Sequence, residues 1–159
     1  MLAPELQTTD LAHFMREAIN EVHLAGRAGE LPIGAVVVVR GQIVSRGHNT
    51  NRADRSQLRH AEMSALWGGG PELWEHFRDA ILFTTMEPCP MCLGAAVMAD
   101  VPHVVFAVHD PHVCSGATLA NNPYVRRHVR SYHGGVLADE VRELIARYHP
   151  TLLHRLCQS

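Results

Sequence analysis

The segments His60-Ala61-Glu62 and Pro88-Cys89-Pro90-Met91-Cys92 constrain this chain more than any other feature. Together they supply an imidazole, a carboxyl group and two thiols, and a fold that uses them must bring two separate stretches to one point. Zinc takes His nitrogen and Cys sulfur in tetrahedral sites, and three protein ligands leave a fourth position for water, the mark of a catalytic centre. His60, Cys89 and Cys92 are the candidate ligands of one Zn2+ per chain. Cys89 and Cys92 stand three apart and share one face of a first helical turn, where the partial positive charge of a helix start favours thiolate. His60 and Glu62 are two apart, a spacing that turns side chains to nearly opposite sides of a helix, so different roles are expected. His60 turns to the metal, and Glu62 lies over the open position as the candidate catalytic acid and base.

Composition sets the frame for that site. The 159 residues are 47% hydrophobic and 19% charged, as expected of one domain spanning 1–159. Formal net charge is −2 and all 14 basic residues are Arg, so the overall electrostatics give no general attraction to a polyanion. Four cysteines, no positively charged apolar leader and no long apolar run indicate a cytoplasmic protein whose thiols serve metal rather than disulfides, with no membrane partner. Cys114 and Cys157 have no partner at ligand spacing and read as incidental thiols. His109, His112 and Cys114 resemble a second metal cluster, but on a Pro-containing segment they read better as a loop near the substrate.

Leu11, Phe14, Met15, Ala18, Val22 and Ala25 recur at helical spacing behind Asp10 as N-cap. Ala35 to Val39 and Ile43 to Arg46, around Arg40-Gly41-Gln42, predict a β-hairpin of buried strands. A helix runs from about His60 to Trp67 and stops at Gly68-Gly69-Gly70-Pro71. Ala80 to Thr85 is a third strand, Pro88 and Pro90 open a helix to about Ala99, and Val104 to Val108 is a fourth strand. A long loop is expected over His109 to Asn122, a fifth strand over Val129 to Tyr132 and a closing helix over Leu137 to Tyr148. The order αββαβαβ(β)α places helices on both faces of one mixed sheet, an α/β class.

His-x-Glu followed by Pro-Cys-x-x-Cys is the signature of the zinc deaminases, and from Leu31 to about Tyr148 the chain resembles the cytidine and nucleobase deaminase superfamily. The resemblance implies a three-layer α/β/α cytidine-deaminase-like fold with a mixed five-stranded sheet, and a homodimer associated through the helices beside the metal. It also implies a hydrolytic deamination. Zinc lowers the pKa of its water to about 7 in favourable sites. Glu62 would take the water proton, pass it to a ring nitrogen and protonate the departing amine, which leaves as ammonia. By the same likeness Asn49 hydrogen-bonds the base or its ribose, Ile33 packs on the ring, and the backbone of Ala61 helps to hold the substrate.

Three branches share these motifs. Met86 to Ala95 is similar to bacterial guanine deaminases, while Leu31-Pro32-Ile33-Gly34 and Arg46-Gly47-His48-Asn49 are similar to fungal-type cytosine deaminases and bacterial tRNA adenosine deaminases. Asn121-Asn122-Pro123 and Gly135 to Glu140 resemble the C-terminal third of the tRNA enzymes. Against that branch, Ser56-Gln57-Leu58-Arg59 replaces the usual Asp-Pro-Thr-Ala, and the segment from Tyr148 to Ser159 carries only Arg155 as a basic residue. RNA affinity leans on phosphate contacts from basic side chains. The sequence therefore favours a free nucleobase or nucleoside, such as guanine or cytosine, as substrate. The alternative is an adenosine in tRNA, with Arg126, Arg127, His128 and Arg130 as its basic patch, and a non-catalytic zinc-binding module comes third.

Overall fold

A single turn, α1 (Pro4–Gln7), precedes the long helix α2 (Leu11–Arg27) in the computed structural model, which describes residues 3–157. Asp10 starts α2 as expected, its side chain accepting from the His13 amide at 2.9 Å. β1 (Gly34–Val39) and β2 (Gln42–His48) follow, joined by Arg40 and Gly41 at φ 50° and 75°. Two successive positive φ values give the turn whose twist matches that of the flanking strands. β1 is buried along its whole length, whereas β2 is the sheet edge and mostly half-exposed, so only one hairpin strand is the buried strand expected.

Next come α3 (Ala61–Gly68), α4 (Gly70–His76), a short 3-10 turn over Phe77–Asp79, β3 (Ala80–Met86), α5 (Pro90–Met98) and β4 (His103–Val108). The chain continues through α6 (Ser115–Asn121), α7 (Pro123–His128), β5 (Ser131–His133), α8 (Ala138–Tyr148) and α9 (Pro150–Leu156). The expected long loop over His109 to Asn122 therefore holds a helix, and the fifth strand begins two residues later than the apolar pattern predicts. The sheet order is β2-β1-β3-β4-β5; β1 runs antiparallel to both neighbours, and β3, β4 and β5 are mutually parallel.

Strand alternation builds two cores. Val36, Val38, Ile81, Phe83 and Val105 face one side and pack with Phe14, Met15, Ala18 and Ile19 of α2 and Val141 and Ile145 of α8. Ala35, Val37, Leu82 and Val104 face the other side and pack with Ala61 and Ala65 of α3 and Leu93 and Ala96 of α5. Each large side chain fully buried there contributes on the order of 1.5–3 kcal/mol. The result is the three-layer α/β/α arrangement expected. Gly47 in β2 lets α3 approach the sheet: a Cβ at that position would collide with the Ala61 carbonyl and the Ala65 amide. The small residues Gly47, Ala61 and Ala65 thus press the start of α3, with His60 and Glu62, onto the sheet.

Candidate metal centre and active site

α3 and α5 lie side by side on one face of the sheet, and their N-termini meet. His60 is the N-cap of α3, with an extended backbone (φ −74°, ψ 156°), so its ring leaves the helix. Cys89 is the N-cap of α5, and Cys92 sits in the first turn. The His60 Nδ1 lies 3.6 Å from the Cys89 Sγ and 3.5 Å from the Cys92 Sγ, and the two sulfurs are 3.6 Å apart. A tetrahedral zinc with bonds of about 2.3 Å to sulfur and about 2.0–2.1 Å to nitrogen would hold its ligands about 3.5–3.8 Å apart. The three side chains fit zinc without rearrangement. Among the described residues they form the one group of three His, Cys, Asp or Glu side chains close enough to share an ion.

The electrostatics follow from that crowding. The Cys92 thiol donates to Cys89 and, with His60, holds the Cys89 thiol down at about 4 against the opposing effect of burial. The same hydrogen bond, together with burial and the nearby Glu62, pushes Cys92 up, so one proton stays between the sulfurs. The hydrogen bond with Cys89 raises His60 despite partial burial. Burial raises Glu62, which is 3% exposed, while its own backbone amide and His60 pull the other way. A desolvated carboxyl beside a metal site is suited to giving and taking protons near neutral pH.

Ala61 follows the ligand His60 at the start of α3, and Asn49 follows the last residue of β2. The Asn49 amide donates to the Ile33 carbonyl at 3.2 Å, and the Asn49 Oδ1 accepts from the Asn51 amide at 3.2 Å. The Asn49 side chain is 1% exposed, and its Nδ2 has no partner among the described residues. A buried donor left unmade costs about 1–3 kcal/mol. Ile33 is half-buried at the junction of the two cores, and Ala61 is fully buried in the first turn of α3. His109, His112 and Cys114 do not converge on an ion: His109 turns to Glu87, His112 turns to the Arg155 carbonyl, and the Cys114 thiol donates to the Pro111 carbonyl. Cys157 is exposed.

Sequence reading missed Glu87, Ser115 and Tyr132. Glu87 precedes the thiol motif, yet its partners come from three later segments, so no local pattern marks it. The hydroxyl of Tyr132 donates to Glu87 at 2.9 Å, and burial pushes that phenol up, keeping it a donor.

The profile of the cytidine and deoxycytidylate deaminase zinc-binding region matches residues 8–108, which include every candidate ligand and Glu62. The chain belongs to this zinc-binding deaminase family. Membership makes it a hydrolytic deaminase, and the ligand geometry agrees.

The tRNA-specific adenosine deaminase of Bacillus subtilis (strain 168) is 37% identical over 139 residues, covering 85% of this chain and 86% of that protein. A chain solved in a study of A-to-I editing by tRNA:A34 deaminases at the wobble position superposes with a TM-score of 0.73 at 30% identity, covering 83% of this chain and 98% of that one. The guanine deaminase of Bacillus subtilis gives a TM-score of 0.55 at 32% identity, covering 69% and 68%. These similarities overturn the expectation of a free nucleobase or nucleoside as substrate, because the tRNA deaminases match over a larger share of both chains. That expectation rested on the net charge, on Ser56-Gln57-Leu58-Arg59 in place of Asp-Pro-Thr-Ala and on a C-terminal segment with Arg155 as its one basic residue, features that do not outweigh similarity along most of the chain. No helix among the described residues is long and apolar enough to cross a membrane.

Proposed function

We propose that this chain is a tRNA-specific adenosine deaminase, forming one domain over 1–159 and converting adenosine to inosine with water as the nucleophile and ammonia as the product. The observation that carries the reading is the 37% identity to the Bacillus subtilis tRNA-specific adenosine deaminase, which spans most of both chains. The target adenosine must leave its stack to enter a pocket at the helix N-termini.

His60, Cys89 and Cys92 hold zinc, which when bound lowers the pKa of water to about 7. Glu62 accepts a proton from the attacking water and transfers it to N1 of the base as oxygen adds to C6. It then carries a proton to the exocyclic amine as the C6–N bond breaks, so that ammonia departs with both electrons of that bond. The unpartnered Nδ2 of Asn49 donates to the base or its ribose, Ile33 packs on the ring, and an Ala61 amide without an intrahelical partner holds a polar edge. A cytoplasmic location is part of this reading, since a reduced compartment keeps thiols such as Cys89 and Cys92 available for metal.

Arg78, Arg127 and Arg130 line one cavity of about 240 Å³ at the far end of α5, roughly 13 Å along that helix from the ligands. None of the three has an ion-pair partner among the described residues. They suit an RNA phosphate track, and in the Arg78→Ala/Arg127→Ala/Arg130→Ala variant kcat/KM on RNA should lose salt dependence, its log–log slope becoming shallower by about 2. An unchanged slope would remove these arginines from the RNA contact.

Trp67, Trp74 and Met98 are 89%, 81% and 73% exposed and line an apolar depression of about 350 Å³ formed by α3, α4 and the end of α5. Patches of this kind mark interfaces, and a second copy applying the same face would close it in a two-fold dimer. Sedimentation velocity should show a dimer for the natural chain and a monomer for Trp67→Glu/Trp74→Glu; two equal species would refute the face.

The reading itself is tested by ammonia release from an adenosine-containing anticodon stem-loop against adenosine, guanine and cytosine. Release from the stem-loop is expected at least a hundredfold above the free compounds, and preference for a free compound would reject the proposal.

A further inference from the structure

β3 ends one residue before Glu87, whose amide donates to the Val108 carbonyl at 2.7 Å and so closes the ends of the parallel strands β3 and β4. Its carboxyl group is 8% exposed and fully engaged. Oε1 accepts from the Tyr132 hydroxyl at 2.9 Å and from the Gly116 amide at 3.4 Å. Oε2 accepts from the Asp110 amide at 3.1 Å and lies 3.4 Å from the His109 Nδ1. The next residue is held by the same segment, since the buried Ser115 hydroxyl donates to the Pro88 carbonyl at 2.6 Å. The two residues immediately before the ligand Cys89 are thus fastened to the stretch from His109 to Gly116.

That stretch has no strand partner to place it. It carries Cys114 at φ 45°, a left-handed conformation that costs a non-glycine residue energy, and leads into α6, which packs on the ligand helix α5. Its other attachment runs through Asp110, which is 2% exposed: one carboxyl oxygen accepts from the His112 amide at 2.9 Å, and the other lies 3.5 Å from an Arg155 guanidinium nitrogen on α9. His112 in turn meets the Arg155 carbonyl at 2.9 Å.

We propose that Glu87 is a positioning residue that sets the 109–116 segment against the zinc ligands, and that Asp110 and Arg155 extend this brace to α9. The inference rests on the zinc-site reading and is independent of which RNA or base is bound. A buried carboxyl that accepts from a backbone amide on each oxygen has no isosteric substitute: glutamine must turn its NH2 toward either the Asp110 or the Gly116 amide, and loses that bond whichever way it faces. Partners outside the ligand set typically change activity 10- to 100-fold when altered.

Hydrogen exchange on the zinc-loaded protein reads the brace directly. In Glu87→Gln the amides of residues 109–117 should exchange at least about tenfold faster, while those of β1 and β3 keep their natural rates and zinc stays at one per chain. With the substrate that the natural chain turns over, KM should rise about 10- to 100-fold and kcat should change by much less. Tyr132→Phe removes one donor and leaves the carboxyl in place, so it should show the same pattern more weakly and carries the test if Glu87→Gln does not fold. Natural exchange rates over 109–117 in both variants, or equal acceleration in β1 and β3, would overturn the proposal. Failure of the RNA reading would instead appear in the natural chain, as silence on stem-loops with the exchange pattern intact.

Discussion

Glu62→Gln is expected to lower kcat by a factor of about 10³ to 10⁴, because one carboxyl serves both the proton taken from water and the proton given to the leaving amine. The substitution keeps shape and burial, so zinc content and thermal midpoint should stay close to those of the natural chain. A loss of activity accompanied by a loss of zinc would mean that Glu62 holds the site together rather than moving protons. The pH profile carries the same signature. Burial raises Glu62, and the ionised form is the one that accepts the water proton, so kcat/KM should fall as pH drops through a value above the ordinary carboxyl range. In Glu62→Gln the residual rate should lack that limb.

The second large effect concerns the metal. Zinc binds thiolates and neutral imidazole, whereas without metal Cys92 holds its proton across the neutral range and His60 is raised above its usual value. Both groups bind more protons in the metal-free protein, so acid weakens zinc binding. Above the raised His60 value one proton is released per zinc, and affinity should fall about tenfold per pH unit. Between that value and the Cys89 value of about 4, two protons are released and the fall should approach about a hundredfold per unit. Competition against a chromophoric chelator across pH 6–8, with proton release measured by calorimetry in buffers of different ionisation enthalpy, checks the count. A pH-independent affinity would mean that the thiols are already fully ionised.

The parts of this molecule that were legible in its sequence are those whose reasons are local. Asp10 with the apolar period of Leu11 to Ala25 specifies α2, the Arg40-Gly41 turn specifies the hairpin, and the prolines around Cys89 specify the start of α5. The ligand set was legible for the same reason: Cys89 and Cys92 share a helical turn, and His60 stands at a helix start. The helix α6 was not, because Ser115-Gly116-Ala117-Thr118 has weak helix propensity and its start is fixed by contacts to Glu87 and Pro88. α9 was missed because seven residues beginning at Pro150 carry little periodicity of their own, and Leu152 becomes a core residue only when α8 is in place. The hub at Glu87 joins residues from 109 to 132, which no window of sequence displays.

Whole-chain charge is a poor guide to substrate class. A net charge of −2 discouraged an RNA reading, yet Arg78 joins Arg127 and Arg130 of the basic patch visible in the sequence at one cavity, which Asp100 also lines, and none of the three arginines pairs with an acid among the described residues. The acids are spent elsewhere, on Arg40, Arg46, Arg59, Arg142 and Arg155. What bears on substrate class is the similarity to the tRNA-specific adenosine deaminases, not the charge count.

The most direct test of the whole account is sequencing by reverse transcription of a transfer RNA carrying adenosine at the wobble position, after incubation with the zinc-loaded chain and, in parallel, with Glu62→Gln. The wobble adenosine should be read as guanosine, the mark of inosine, in the first sample and as adenosine in the second. An unchanged wobble adenosine in both, beside rapid ammonia release from free guanine or cytosine, would contradict it.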